Sequence, residues 1–332
     1  MNNNDLLPWI EKYRPQQISD VICHDNNILV IKKLLAASAL PHILFYGPSG
    51  TGKTSIIMSI INELYGINSK LMVMKLDASD ERGINLVRDE IKSFVNKTNM
   101  FCKGTKMVIL DEADAMTFDA QFALRRIIEK YSSTVRFCII CNYINKIIPA
   151  IRSRFANFRF NLINNIDIKK KLLDIINIEQ ININHEFIDI ICNIVNGDLR
   201  KAINIIHTLS FYENISKNDL YTILNIINPI DIEYILKILY DTTKSYNQKY
   251  IILYDIINNK QYNLQVIIHD LFNSIINNNI LCQPYIIINL GELENKIIKI
   301  MYNNIYISAL INIFRYQTDF SDIASSSIFN DG

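Results

Sequence analysis

The residues from Gly47 to Thr54 carry the strongest chemical signal in this sequence. They read Gly-Pro-Ser-Gly-Thr-Gly-Lys-Thr and fit the phosphate-loop pattern G-x-x-x-x-G-K-[ST] in full. The apolar run His42–Tyr46 before them is typical of a strand, and Ser55–Ile61 after them of a buried helix. Backbone N–H groups of such a loop, together with a helix N-terminus, bind phosphate oxygens. A nucleoside triphosphate is therefore predicted to contact Gly47, Pro48, Ser49, Gly50, Thr51, Gly52, Lys53, Thr54 and Ser55.

Further side chains stand where cleavage of a triphosphate needs them. Lys53 is predicted to reach the β- and γ-phosphates, and the Thr54 hydroxyl to ligate Mg²⁺. The apolar run Met107–Leu110 ends in Asp111 and Glu112. Asp111 is placed to hold Mg²⁺ through its water shell, and Glu112 to polarise the attacking water. The alternative, a solvated turn at a strand end, would not explain why these acids accompany a phosphate loop.

Asn142 follows the next strand candidate, Val135–Cys141. Taken alone, an asparagine there is usually a turn residue. Ligands of parallel sheets, however, bind where the strands end, so Gly47, Asp111 and Asn142 are expected to converge on one site. In that place the amide can orient the lytic water or contact the γ-phosphate.

The alternation of strand and helix patterns predicts an α/β fold, a parallel sheet with helices on both faces. The strand candidates are His42–Tyr46, Leu71–Leu76, Met107–Leu110, Val135–Cys141 and Phe158–Phe160. Strand signals fade after residue 161. Amphipathic patterns there predict a small domain of three short helices, followed by a second, all-α C-terminal domain. The predicted domains are 1–160, 161–228 and 229–320, with a flexible tail at 321–332.

Bulk composition excludes several protein classes. The 332 residues carry a net charge of +1, which argues against coating nucleic acid by bulk charge. The longest uncharged apolar runs are too short to predict a membrane span, and the N-terminus lacks a secretory pattern. Cys138 and Cys141 form one C-x-x-C within a strand, where residues three apart face opposite sides. All six cysteines are therefore predicted to be reduced thiols in an intracellular protein.

Several separate motifs carry a resemblance to a known family. They are Leu7–Pro15, Asp77–Ile84, Asp111–Thr117, Ala123–Arg126, and Asn142-Tyr143 with Lys146–Ala150. In this order they resemble the small subunits of eukaryotic replication factor C, the clamp-loader ATPases of the AAA+ superfamily. The last motif is closest to the subunit 3/5 class. The resemblance is strong over about residues 5–210, and only general beyond them.

The resemblance implies roles for residues that the phosphate-loop argument does not reach. Tyr13 and Arg14 are expected to line the adenine pocket. Arg154, in the box Ser153-Arg154-Phe155, is expected to reach the γ-phosphate of a neighbouring subunit in trans; Phe155 departs from the usual Cys. The resemblance also implies that domain 161–228 is a lid over the nucleotide and domain 229–320 an oligomerisation collar. Arg200, on a lid helix, is expected to contact this chain's own nucleotide (in cis) and to couple the angle of the lid to the state of that nucleotide. The alternatives are an ordinary surface ion pair for Arg154 and a solvated helical arginine for Arg200.

A DNA-binding surface is implied more weakly. Arg82, Arg88, Lys92 and Lys146 match basic positions that contact backbone phosphates in the family. Because Arg88 and Lys92 are four residues apart, they share a helix face. The alternative is a solvated face paired with the neighbouring acids.

As a whole, the resemblance implies an ATPase that uses ATP and Mg²⁺ as cofactors and works with four other subunits in a nuclear heteropentamer. That assembly would open the ring-shaped sliding clamp (PCNA) and load it onto primer–template DNA. A scaffold subunit that binds ATP without hydrolysing it is the second reading. A DNA-translocating AAA+ motor is the third, disfavoured by the Ser153-Arg154 box and the Leu7–Pro15 motif.

Overall fold

A computed structural model describes residues 7–37, 40–78, 84–97, 104–212, 215–224, 226–277, 284–297 and 303–315. The chain divides into two compact units, Met1–Glu213 and Asn214–Gly332. The finer division at residues 160 and 228 stays a prediction, and the predicted tail 321–332 lies outside the described residues. Within the described ranges, no helix has the length and apolar character needed to cross a membrane.

The first unit is built on a five-stranded parallel sheet in the order β2-β3-β4-β1-β5. The strands are β1 (Ile43–Tyr46), β2 (Val73–Asp77), β3 (Lys106–Asp111), β4 (Val135–Cys141) and β5 (Ala156–Arg159). Tyr46 pairs with Cys141, and Asp77 with Asp111, so these strand ends share one edge. The α/β fold is thereby confirmed, and the phosphate loop, the acids and Asn142 all follow strands that end at this edge.

The predicted bounds were wrong for four of the five strands. His42 lies outside β1, and β3 is one residue longer at each end than predicted. Leu71 and Met72 belong to a short helix, Ser69–Met72, that leads into β2. Their apolar character continues into the strand, so the sequence shows no break there. The last strand begins at Ala156 and ends at Arg159, whereas Phe158–Phe160 was predicted.

Helices cover both faces of the sheet. They are α1 (Trp9–Lys12), α2 (Asp25–Ala36), α3 (Lys53–Tyr65), α4 (Ser69–Met72), α5 (Ile84–Asn96), α6 (Phe118–Tyr131) and α7 (Pro149–Arg152). Ile31 of α2 and Ile56 of α3 are buried in one core cluster, and Ile91 of α5 in the other. Cys138 belongs to the first cluster and Cys141 to the second. The two thiols therefore face opposite sides of the sheet, as predicted.

The cysteines that the structure describes are free thiols, in agreement with the prediction that they are reduced. Cys23, Cys138, Cys141 and Cys192 are free, and burial raises the pKa of Cys141 to about 12. Such a thiol is neutral and unreactive at physiological pH. Cys102 and Cys282 lie outside the described residues.

Three further helices complete the first unit: α8 (Asn165–Glu179), α9 (His185–Val195) and α10 (Leu199–Leu209). Leu172, Ile188 and Ile206 are fully buried, one from each helix. Asn196 and Gly197 take left-handed backbone conformations, with φ of +48° and +86°. They end α9 and turn the chain so that α10 begins beside the sheet.

Among its described residues, the second unit contains helices joined by loops and no strand. Its helices are α11 (Lys217–Ile223), α12 (Pro229–Tyr240), α13 (Tyr246–Lys260), α14 (Leu264–Asn277), α15 (Pro284–Ile297) and α16 (Asn303–Arg315). Ile235, Ile268 and Leu290 are fully buried in a single apolar core. Helix α11 was not predicted, because its seven residues are too few for a clear periodic pattern.

Candidate functional site

The phosphate loop connects β1 to α3 with three glycines in backbone conformations that other residues rarely adopt. Gly47, Gly50 and Gly52 have φ of +144°, +67° and +91°. A Cβ on Gly47 would lie 2.1 Å from the carbonyl oxygen of Phe160, so the residue that follows β5 leaves no room for a side chain. The loop therefore packs directly on the sheet edge, and α3 begins at Lys53 with its N-terminus facing the cleft.

Lys53 is the buried cation at the centre of the site. Its ammonium donates to the carbonyls of Gly47 and Pro48 at 2.7 and 2.6 Å, and to Oδ1 of Asn142 at 3.0 Å. Burial lowers the pKa of Lys53, and Arg200 adds to the effect, while Cys141 and Asp111 oppose it. Gly47 and Pro48 thus bind the Lys53 ammonium through their carbonyls and do not line the cleft. Asn142 lines the cleft and contacts the same ammonium.

The two predicted acids lie together at the end of β3. The Thr54 hydroxyl donates to Oδ2 of Asp111 at 3.3 Å, and Lys75 lies 3.4 Å from the same oxygen. Glu112 donates its backbone N–H to Oδ1 of Asp111 and has a left-handed φ of +53°. This conformation costs a non-glycine residue roughly 1–2 kcal/mol, and such strained residues are enriched at active sites.

Thr54 and Asp111 fit the metal ion expected of them. A hydroxyl and a carboxylate side by side are hard oxygen donors of the kind that Mg²⁺ prefers. Among the described residues, no cluster of three or more His, Cys, Asp or Glu side chains could enclose a metal by itself. The donor set therefore suits an ion that completes its shell with water and phosphate oxygens, as Mg²⁺ commonly does.

These groups line one cleft. Of the predicted residues, the following lie on its wall: Tyr13, Arg14, Ser49, Gly50, Thr51, Gly52, Lys53, Thr54, Ser55, Asp111, Glu112, Asn142 and Arg200. Apolar residues absent from the sequence prediction complete it: Ile10, Val21, Ile22, Ile163, Leu199 and Ile203. The cleft thus combines a charged end at the phosphate loop with apolar and aromatic walls, which suits a nucleotide.

The N-terminus of α10 closes against the phosphate loop. Asp198 caps α10 by accepting from the backbone N–H of Lys201 at 3.0 Å, and Ser49 donates to its other oxygen at 3.3 Å. The backbone N–H of Leu199 also donates to the carbonyl of Gly50 at 3.3 Å. Sequence reasoning missed Asp198, although an aspartate just before an apolar helical pattern is a cap signal. This contact places Arg200 on the wall of the cleft.

Arg154 does not line this cleft. Its guanidinium lies 2.6 Å from Oε1 of Glu129 and donates to the carbonyl of Ala150 at 2.6 Å, with the side chain 37% exposed. Arg125 pairs with the same carboxylate, and hydrogen bonds from Arg125 and Arg154 lower the pKa of Glu129 despite partial desolvation. Phe155 is buried, so its ring fills core space. The surface ion pair weighed as the alternative is thus present in the isolated chain.

Of the four basic residues predicted to contact DNA, the structure describes the side chains of two, Lys92 and Lys146. Lys92 pairs with Asp89 at 3.4 Å, as the solvated-face alternative describes, and Lys146 lies 5.3 Å from the centre of the Tyr143 ring. Arg82 and the side chain of Arg88 lie outside the described residues. Neither Lys92 nor Lys146 lines the cleft, so any role they have is separate from the nucleotide.

Comparisons with known proteins give one consistent family. Residues 43–161 match the family described as ATPase family associated with various cellular activities (AAA). Replication factor C subunit 3 of Schizosaccharomyces pombe is 45% identical over 71% of this chain and 70% of its own. Probable replication factor C subunit 5 of Dictyostelium discoideum is 38% identical over 95% of this chain and 92% of its own.

Solved structures agree on the fold alone. A RuvB mutant of Thermotoga maritima aligns with a TM-score of 0.52, covering 74% of this chain and 88% of that one at 16% identity. At that identity the likeness carries no information on what the chain acts upon.

Proposed function

Because this chain belongs to the replication factor C small subunits of the 3/5 class, within the AAA+ ATPase superfamily, we propose that it is an active ATPase subunit of a heteropentameric clamp loader. In this proposal, ATP binding and hydrolysis drive the opening of a sliding clamp and its placement on primer–template DNA in the nucleus. The partners are four related subunits, the clamp, and DNA held through its backbone phosphates.

One observation carries the proposal: a buried lysine, a hydroxyl, two carboxylates and an amide meet in one cleft. Lys53 bonds Asn142, Thr54 bonds Asp111, and Glu112 follows Asp111 on the same wall. A protein that only binds ATP requires the first of these groups, but not a carboxylate and an amide placed to act on water. The full set therefore favours hydrolysis over the scaffold reading.

Each residue can be given a role from its contacts. The phosphate-loop N–H groups and Lys53 would bind the β- and γ-phosphates, exchanging some of the lysine's protein partners for phosphate oxygens. Mg²⁺ held near Thr54 and Asp111 would neutralise charge on the phosphates. Since Oδ1 of Asn142 accepts from Lys53, its amide N–H groups remain to orient water or phosphate. Glu112 would take the proton of the attacking water.

Arg154 is assigned to the neighbouring subunit's site, because its guanidinium is surface-exposed and outside this chain's own cleft. Its pairing with Glu129 would be exchanged for a phosphate contact when subunits close. Arg200 is assigned to this chain's own nucleotide. The hydrogen bonds of Asp198 and Leu199 to the phosphate loop would link the position of its helix, α10, to the state of the nucleotide.

Reconstitution of the purified complex with Glu112→Gln in this chain alone tests the proposal. Steady-state ATP hydrolysis should fall while ATP binding to this chain is retained, because the amide keeps the size of the carboxylate but cannot accept a proton. Unchanged turnover would favour the scaffold reading. Mass spectrometry of the co-purified complex should identify four related ATPases and a ring-shaped clamp, and their absence would contradict the assembly.

A further inference from the structure

A carboxylate in α8 contacts the segment that forms one wall of the nucleotide cleft. The hydroxyl of Tyr13 donates to Oε1 of Glu179, and the ammonium of Lys12 lies 2.7 Å from the same oxygen. Glu179 is the last residue of α8, 166 residues along the chain from Tyr13. This contact therefore joins the N-terminal segment to the helices that follow the sheet.

The ring of Tyr13 is fixed from more than one side. Trp9 meets it edge-on at 6.1 Å, and the Trp9 ring stacks on His207 of α10 at 4.7 Å. The side chain of Glu179 is only 20% exposed. The edge-on contact with Trp9, itself stacked on His207, and the hydrogen bond to Glu179 thus determine the direction in which the phenol faces the cleft.

The charge states at this contact are well defined. Burial, followed by the hydrogen bond to Glu179, raises the pKa of Tyr13, so the phenol is a neutral donor at physiological pH. Burial opposes ionisation of Glu179, but hydrogen bonds from Lys12 and Tyr13 leave its pKa below the ordinary value. A charged acceptor with a neutral donor makes a stronger hydrogen bond than two neutral groups.

Tyr13 lies on the cleft wall with Ile10, Val21 and Ile22, whereas the phosphates are expected at the glycine-rich loop. Apolar and aromatic walls of this kind take a planar heteroaromatic ring. The only part of a nucleoside triphosphate with that chemistry is its base.

We propose that Glu179 is a positioning residue for the nucleotide base: it holds the Tyr13 phenol so that the ring forms the wall against which the base packs. Base binding is thereby coupled to the placement of α8, since the contact must persist for the wall to form. This inference rests on the proposed function, because it requires that ATP binds in this cleft.

Competition against a ribose-linked photoaffinity ATP analogue separates base binding from phosphate binding. Labelling of the full-length chain would be displaced by ATP or by inorganic tripolyphosphate, which has no base. Glu179→Ala should weaken displacement by ATP about tenfold, as expected for loss of a hydrogen bond to a charged group, and leave displacement by tripolyphosphate unchanged. Asp189→Ala is the matched control, because it removes the Lys169 pair between α8 and α9 away from the cleft.

Two further variants test whether Glu179 acts through Tyr13. Tyr13→Phe should produce the same loss as Glu179→Ala, and the double variant should be no weaker than either. Glu179→Gln keeps an acceptor and should recover part of the ATP affinity. Equal loss for ATP and tripolyphosphate, or additive losses in the double variant, would overturn the inference.

The two proposals fail in different ways. If ATP does not displace the analogue from the unmodified chain, the proposed function is wrong. If ATP displaces it and neither Glu179→Ala nor Tyr13→Phe changes that affinity, only the role of Glu179 is wrong.

Discussion

Replacing Gly50 with alanine tests the contact between the phosphate loop and α10. A Cβ on Gly50 would lie 1.7 Å from Oδ1 of Asp198, at a φ of +67°. The carboxylate would have to turn away and release the Lys201 N–H that it caps. Loss of such a cap costs about 1 kcal/mol, and an alanine in the left-handed region costs roughly another 1–2 kcal/mol. We therefore expect Gly50→Ala to lower the free energy of unfolding by about 2–3 kcal/mol.

Gly52→Ala provides the control for the backbone term. Gly52 has a φ of +91°, but a Cβ there meets nothing within 4 Å. It should therefore cost about 1–2 kcal/mol, the conformational term alone. Chemical unfolding without nucleotide can be followed by the fluorescence of Trp9, the single tryptophan, which stacks on His207.

A double-mutant cycle isolates the clash. In an Asp198→Ala background, Gly50→Ala should cost no more than Gly52→Ala does, because the carboxylate that it would displace is gone. Equal losses for Gly50→Ala and Gly52→Ala in the unmodified chain would refute the reasoning, since they would show that Asp198 does not rest on the loop.

Three other predictions concern the chemistry of the site. The affinity for ATP, measured by equilibrium titration, should fall as pH rises through the pKa of Lys53, which burial places below 10.5. The reason is that the neutral amine no longer attracts phosphates. The affinity for adenosine, which has no phosphate, should not decline in the same way. Arg154→Ala should slow hydrolysis at the neighbouring site by about 10³-fold or more while photolabelling of this chain by ATP is unchanged. Arg125→Ala, which removes the other partner of Glu129, controls for loss of the ion pair, and reduced labelling of this chain with Arg154→Ala would show that Arg154 acts in cis. Asn142→Ala should reduce the rate of single-turnover hydrolysis about tenfold or more. It should reduce ATP affinity much less, because Lys53 keeps its two carbonyl partners. An equal loss in rate and in affinity would contradict a role of Asn142 in orienting water.

The parts of the site that local sequence encodes could be predicted. The glycine spacing of Gly47–Thr54 has few other physical uses, and the apolar runs before it and before Asp111 are strands because continuous apolar runs suit a buried parallel sheet. Since such strands end at one edge, convergence of Lys53, Asp111 and Asn142 followed from the fold class. The AAA match at residues 43–161 covers the strands that carry these three residues.

The contacts between distant segments could not be predicted. Ser49 meets Asp198 across 149 residues, and Tyr13 meets Glu179 across 166. Each depends on how α8 and α10 pack against the sheet, and no local pattern fixes that packing. Helix α11 was missed for a different reason. Its clearest signal is the capping box of Ser216 and Asp219, and a capping box predicts a helix only when a periodic apolar pattern follows it.

The central claim is that Lys53 of this chain binds the phosphates of a nucleotide. The most direct measurement is photolabelling of the purified complex by an ATP analogue, with Lys53→Ala in this chain alone and the labelled subunits resolved by mass. Labelling of this chain should be lost, because a buried cation and its charge-assisted phosphate contacts are removed, while the other subunits keep theirs. Undiminished labelling of this chain would contradict the account.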